Sequence, residues 1–165
     1  MTIETERLLL RKFTLDDLDD YFDLGTRPEV LRFVGGKPFA SIDEARETLV
    51  AAPLRDYQLY GYGRLACIEK ATGRLIGFNG LKYLPDIDEV DVGYRFFSDC
   101  WGKGYATESS LAVMQYGRES LGLERIVGIV HPENAASIRV LKKLGLRYEK
   151  KTRLEGLGED LDLYA

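Results

Sequence analysis

The stretch that most constrains this 165-residue chain is EVDVGYRFFSDCWGKGYATE, residues 89–108. Its first part alternates strictly, with Glu89, Asp91, Gly93 and Arg95 on one face of a β-strand and Val90, Val92, Tyr94 and Phe96 on the other. Its second part sets Gly102 and Gly104 around Lys103, just before a segment from Thr107 to about Leu121 whose apolar residues recur at helical spacing. Free N–H groups and the helix dipole converge at such a junction, and residues without Cβ atoms let an anion approach them.

Several ligands compete for that turn. A P-loop needs Ser or Thr after Gly-Lys, and Lys103 is followed by Gly104, so no hydroxyl is available for magnesium. The dinucleotide pattern GxGxxG fits Gly102 and Gly104 but fails at Thr107, and Glu124 opens its strand where a ribose contact needs an acid at the strand's end. A tight turn without a ligand remains open, although one glycine normally suffices for it.

Around the junction the chain reads as mixed α/β, one domain over residues 1–165 with helices around a mostly antiparallel sheet. RLLLRKF, residues 7–13, is a first strand. Thr14 before Asp16 and Asp17 caps a helix, on which Asp16, Asp17, Asp19, Asp20 and Asp23 form either a solvated face or, near a cleft, an acidic patch that attracts a cationic substrate. Ser41 with Glu44 makes a capping box for a second helix, with Ile42, Ala45, Leu49 and Ala52 in register and Pro53 near its middle or end. RLACIEK and LIGFNGLKYL flank the turn ATGR as a hairpin, and ERIVGIV, residues 124–130, is a later strand. Asn134 caps a helix that stops at Gly145, and LRYEKKTRL and DLDLYA close the chain as strands.

A net charge of −4 argues against a protein whose main work is gripping nucleic acid. Cys67 and Cys100 have neither zinc-site nor disulfide-framework spacing, and charges at Glu4, Glu6, Arg7, Arg11 and Lys12 break any apolar leader or membrane span. The expectation is a cytoplasmic protein without a metal, monomeric or homodimeric.

WGKGYATE at 101–108, preceded by VGYRF at 92–96 and followed by NAASIRVLKKLGL at 134–146, resembles the GNAT superfamily of acetyl-CoA-dependent N-acetyltransferases, nearest the RimJ/RimL-like group. The opening ERLLLRKFTLDDLDDYFDL is similar as well, so the likeness spans nearly the whole chain. It implies a sheet splayed at a cofactor groove, with the coenzyme A pyrophosphate on Trp101, Gly102, Lys103, Gly104, Tyr105, Ala106 and Thr107. Trp101 stands where the family usually has Gln or Arg, which removes one polar contact. The resemblance also implies that the pantetheine arm pairs with the strand end from Tyr94 to Phe97, including Phe96 and Phe97, and that Asn134 hydrogen-bonds the cofactor. Arg139 and Lys142 belong to a basic run that is either a solvated face or a seat for the 3′-phosphate.

Acetyl transfer to nitrogen needs a neutral amine, donors for the developing oxyanion and a proton for the leaving thiolate. Asp91 and Glu89 share a strand face and are the candidate bases, because two close carboxylates raise one another's pKa. His131, the only histidine, reads as a loop residue. Leu141 stands where many relatives carry a tyrosine acid, leaving Ser137 or water to protonate the thiolate. Candidates this weak suit an α-amine, which titrates at about 7.7–8.0, better than a lysine at about 10.4. The implied reaction is acetyl transfer to a peptide N-terminus or an aminated small molecule, the competing role a catalytically silent acyl-CoA-binding module.

Overall fold

The computed structural model describes residues 1–165. A five-stranded antiparallel sheet runs in the spatial order β1 (Thr2–Glu4), β2 (Leu8–Lys12), β3 (Arg64–Glu69), β4 (Leu75–Leu84) and β5 (Glu89–Phe96). A three-stranded ladder follows in the order β6 (Gly128–Val130), β8 (Leu161–Tyr164) and β7 (Tyr148–Thr152). The two ladders meet at one parallel bridge, Asp91 to Val127. This is the splayed, mostly antiparallel sheet expected from the motifs.

Period-two alternation decides which face each residue covers. On β3, Leu65 and Cys67 enter the main core with Val113 and Met114 of α5 (Tyr105–Glu119), while Ala66 joins Tyr21 of α1 (Leu18–Leu24) and Ala45 and Leu49 of α3 (Ile42–Leu49) on the opposite face. Helix α5 lies close to the sheet because Gly117 has no side chain; a Cβ there would sit 2.7 Å from Ile126 and 2.8 Å from Leu81. Beside β6 lies α6 (Ala135–Lys143), whose Leu141 occupies the space a Cβ on Gly128 would need.

The sequence reading departs from the structure in identifiable places. Thr2–Glu4 adds a short first strand on β2. Pro53 does not end its helix. Lacking an N–H, it is absorbed into a π-helical turn, Val50–Leu54, that carries α3 into α4 (Arg55–Tyr60). Glu44 reaches back to the N–H of Ala40, while Ser41 accepts from the N–H of Glu44. Helix α5 begins at Tyr105 rather than Thr107. Only Gly128–Val130 of ERIVGIV joins a ladder, because the chain diverges from β5 after its bridge.

Asp17 is the main correction to the acidic face. Its carboxylate is buried, accepts two hydrogen bonds at 2.8 Å from the Arg11 guanidinium and one at 2.9 Å from the Thr14 N–H. Burial alone raises an acid's pKa, but Arg11 and the Thr14 amide together hold Asp17 below the usual carboxylate range. A depressed folded pKa means stability that is present above the unfolded value, near 3.9, and lost as pH falls through the folded one. Asp17→Asn is therefore expected to destabilise the protein by roughly 1–3 kcal/mol at neutral pH. Urea unfolding as a function of pH should show that it also flattens the wild-type loss of stability below about pH 4.

Candidate active site

The splay begins where β5 and β6 last touch. Val127 donates to Val90 and accepts from Val92, so residues 90 and 92 direct their backbone groups toward β6, and 89, 91, 93 and 95 direct theirs toward β4. The same alternation turns the N–H groups of Tyr94 and Phe96 to the side from which β6 has departed. That edge is open to an extended ligand. The Phe96 carbonyl is already used, accepting from the Trp101 indole N–H at 2.9 Å. Trp101 thus pins the strand end to the following loop while its ring stays 51% exposed.

Beyond Trp101 the chain passes through two left-handed glycines, Gly102 at φ +73° and Gly104 at φ +83°, a conformation that L side chains rarely adopt. Nothing lies within 4 Å of where a Cβ on Gly102 would be. Gly104 is the N-cap of α5 and no side chain caps the helix. The first backbone N–H to find a helical acceptor is that of Glu108, on Gly104 O. Every amide from Gly102 to Thr107 has no partner in the protein. Consecutive unpaired donors around left-handed glycines form an anion-binding concavity.

The surroundings keep that concavity electropositive. Glu108, in the first turn of α5, is neutralised by Arg7 at 2.7 Å and by the Thr5 hydroxyl at 2.6 Å. The Arg7 guanidinium lies 4.3 Å from the centre of the Tyr105 ring, and Tyr105 in turn donates to Glu69. Lys103 is exposed and forms no ion pair. Phe96 and Phe97 are buried, so only their backbone faces the groove; Phe97 packs under Arg27 and Arg74.

Across the opening, Asn134 caps α6 by accepting from the Ser137 N–H and leaves its side-chain N–H groups unused. The Ser137 hydroxyl lies 2.9 Å from the Tyr94 hydroxyl. Burial pushes the Tyr94 phenol above its ordinary range, and the Ser137 hydrogen bond offsets part of that. Tyr94 therefore stays a proton donor at neutral pH. Sequence reasoning named Ser137 as a proton source and gave Tyr94 only a backbone role at the strand end, although alternation along β5 put its side chain on the face opposite Asp91. Arg139 and Lys142 are exposed on α6 without ion pairs.

The two acids predicted to share a cleft do not. Asp91 is buried at the apex of the splay and pairs with Arg64 at 2.9 Å. Arg64 reaches it by lying across Gly93, where a Cβ would be 2.6 Å from its Nη2. Glu89 instead accepts from Arg125, which also binds Glu149 of β7. Each carboxylate thus has its own cation, and mutual repulsion is not what governs this face. His131 accepts from the Glu133 N–H, stacks at 5.3 Å on Phe33 and lies 3.4 Å from Glu159. A separate concavity of about 490 Å³ between α4 and the 154–157 loop contains none of the predicted site residues.

A family model described as acetyltransferase (GNAT) domain matches residues 7–147. An uncharacterized N-acetyltransferase p20 of Bacillus licheniformis is 34% identical, over 99% of this chain and 93% of its own. The crystal structure of an acetyltransferase from Agrobacterium tumefaciens superposes with a TM-score of 0.83 at 28% identity, covering 99% of this chain and 92% of that one. A RimL ribosomal L7/L12 alpha-N-protein acetyltransferase in complex with coenzyme A shares the fold, with a TM-score of 0.82 at 18% identity over 99% of this chain and 96% of its own.

The unpaired amides make a direct expectation for anion binding. Titration with inorganic pyrophosphate should shift the backbone amide resonances of Gly102–Thr107 before any others, and Gly104→Val should abolish that response by straining the left-handed turn. Lys103→Ala should weaken the titration severalfold without changing which amides move.

Proposed function

This chain belongs to the acetyltransferase (GNAT) domain family, and on that premise we propose that it acetylates an α-amine at the N-terminus of a protein or peptide. Acetyl-CoA is the acyl donor that the family uses. The single observation that carries the reading is the run of unpaired amides from Gly102 to Thr107 beside an open strand edge. That arrangement fits coenzyme A in two places: the amides match a pyrophosphate, and the N–H groups of Tyr94 and Phe96 match an extended pantetheine arm. When bound, the cofactor supplies an activated acetyl thioester.

The chain's own residues handle protons and position. Asp91, at the apex of the splay, is the proposed acceptor of the amine proton; Glu89 is held by Arg125, which also binds Glu149, and has no part in transfer. The ion pair with Arg64 fixes the position of this carboxylate. An α-amine, titrating at about 7.7–8.0, is already partly neutral near neutral pH and asks less of any base than a lysine at about 10.4. On the opposite face, Ser137 and Tyr94 form a hydroxyl pair whose proton is available to the leaving thiolate, with the Tyr94 phenol as reservoir. Asn134 and the exposed Arg139 and Lys142 lie on or next to α6, and we assign them to holding the cofactor. The RimL-type neighbour, by its name an alpha-N-protein acetyltransferase, supports an α-amine acceptor by analogy of fold.

Thiol release from acetyl-CoA, followed across peptides with free N-termini, polyamines and aminoglycosides, tests the reading. Peptides are expected to be the best acceptors, with kcat/KM rising with pH through the α-amine range. Binding of coenzyme A without turnover on any amine would instead identify a silent acyl-CoA-binding module. Asp91→Asn should cost at least tenfold in kcat, and it should also lower thermal stability because it strands Arg64. Ser137→Ala and Tyr94→Phe should each lower kcat while leaving the affinity for coenzyme A within about twofold.

A further inference from the structure

Arg95 is the one partly buried arginine without an acidic partner. Arg7, Arg11, Arg27, Arg64, Arg74, Arg125 and Arg153 each pair with a carboxylate. The remaining unpaired ones, Arg32, Arg46, Arg55, Arg118, Arg139 and Arg147, are all exposed to water, which solvates them. Arg95 makes no ion pair and no hydrogen bond; its guanidinium lies 5.6 Å from the centre of the Phe78 ring, its partner in the β4–β5 register. The groups that act on it electrostatically are Tyr21 and Arg64, and no acid is among them. Burial and the like charge of Arg64 both work against its charged form.

Its position gives that imbalance a meaning. Arg95 shares the Asp91 and Gly93 face of β5 and lies on the stretch that has lost its β6 neighbour. Along this face Asp91 is matched by Arg64, so Arg95 leaves one uncompensated positive charge beside the opening. The Tyr21 hydroxyl, within electrostatic reach of it, also has no hydrogen-bond partner in the protein. A partly desolvated cation is costly unless an anion completes it, and a guanidinium presents a planar fork that matches a carboxylate. The cofactor's phosphates have their own seat beyond Trp101, at the opposite end of the strand-to-helix turn.

We propose that Arg95 binds a carboxylate on the acceptor, so that the preferred acceptor is a primary amine carrying an acid group on the same molecule. This inference rests on the acetyl-transfer reading for the identity of the acceptor, and it narrows that acceptor to an acidic class. The Arg95 fork and the Tyr21 hydroxyl would donate to the acid, and Phe78 would hold the guanidinium in place.

Matched acceptors separate the possibilities. Amidated tripeptides Ala-Asp-Ala and Ala-Asn-Ala differ in one carboxylate while their α-amines are alike; free glutamate and glutamine make the corresponding small-molecule pair. Whichever pair shows the larger acid preference identifies the source of the anion. Wild type should favour the acidic member by roughly tenfold or more in kcat/KM, chiefly through KM. Arg95→Gln should erase the preference and leave the neutral acceptor within about threefold of wild type, and Arg95→Lys should keep part of it through charge alone. Equal use of both members by wild type, or an equal loss on both in Arg95→Gln, overturns the proposal. Calorimetry of the same pairs in the presence of coenzyme A makes the two readings fail separately. Acid-selective binding without turnover sinks acetyl transfer and keeps Arg95, whereas turnover without selectivity does the reverse. Should Arg95→Gln not fold, the comparison of wild type with Arg95→Lys decides.

Discussion

The proposed site depends on one short contact. Val127 exchanges hydrogen bonds with Val90 and Val92, and beyond that exchange β5 and β6 separate. Had the ladder continued, the N–H groups of Tyr94 and Phe96 would be paired and the sheet closed. Because it stops, a row of backbone donors is left at the edge of a sheet otherwise covered on both faces, where a missing partner is expensive. The divergence is held open from the α6 side: Leu141 fills the space beside Gly128, and Ser137 meets Tyr94. Residues far apart in the chain thus fix the width of one gap.

The second organising feature is the way charge is arranged around that gap. On the cofactor side, two acids near the α5 start are paired with cations, Glu108 with Arg7 and Asp99 with Arg74, while Glu69 keeps its charge and is held by hydrogen bonds from Tyr105 and Thr72. The free amides there consequently meet an anion with most of the nearby acid charge compensated. On the acceptor side, Asp91 is held by Arg64, and Arg95 is left uncompensated. One cleft therefore offers positive potential to both of its ligands by different means. In the proposed arrangement, backbone dipoles serve a group recognised by shape, and a single guanidinium serves a group recognised by charge.

Much of this could be read in the one-dimensional chain. The period-two run at 89–96, the glycines at 102 and 104 and the cap at Asn134 each depend on local geometry, which a residue and its immediate neighbours set. The element order, the hairpin at 71–74 and the placement of the helices before β3 were legible for the same reason. The main misreadings involve a partner outside the element itself. Asp17 looks solvated until Arg11, on the preceding strand β2, is brought beside it. Glu89 and Asp91 look like one acidic cluster until β3 and the 124–127 segment deliver a separate arginine to each. Pro53 could fall within its helix or at its end, and only the structure sets it inside a π-turn that continues into α4.

The sequence by itself determined that a strand would run into a glycine turn and a helix with exposed amides, because backbone stereochemistry acts over a few residues. Only the tertiary structure decided which charges survive at that junction. Neutralisation and desolvation depend on what comes to lie within a few ångströms, and Arg95 stands apart because every other arginine found an acid or full exposure to water and it found no acid and only part of that exposure.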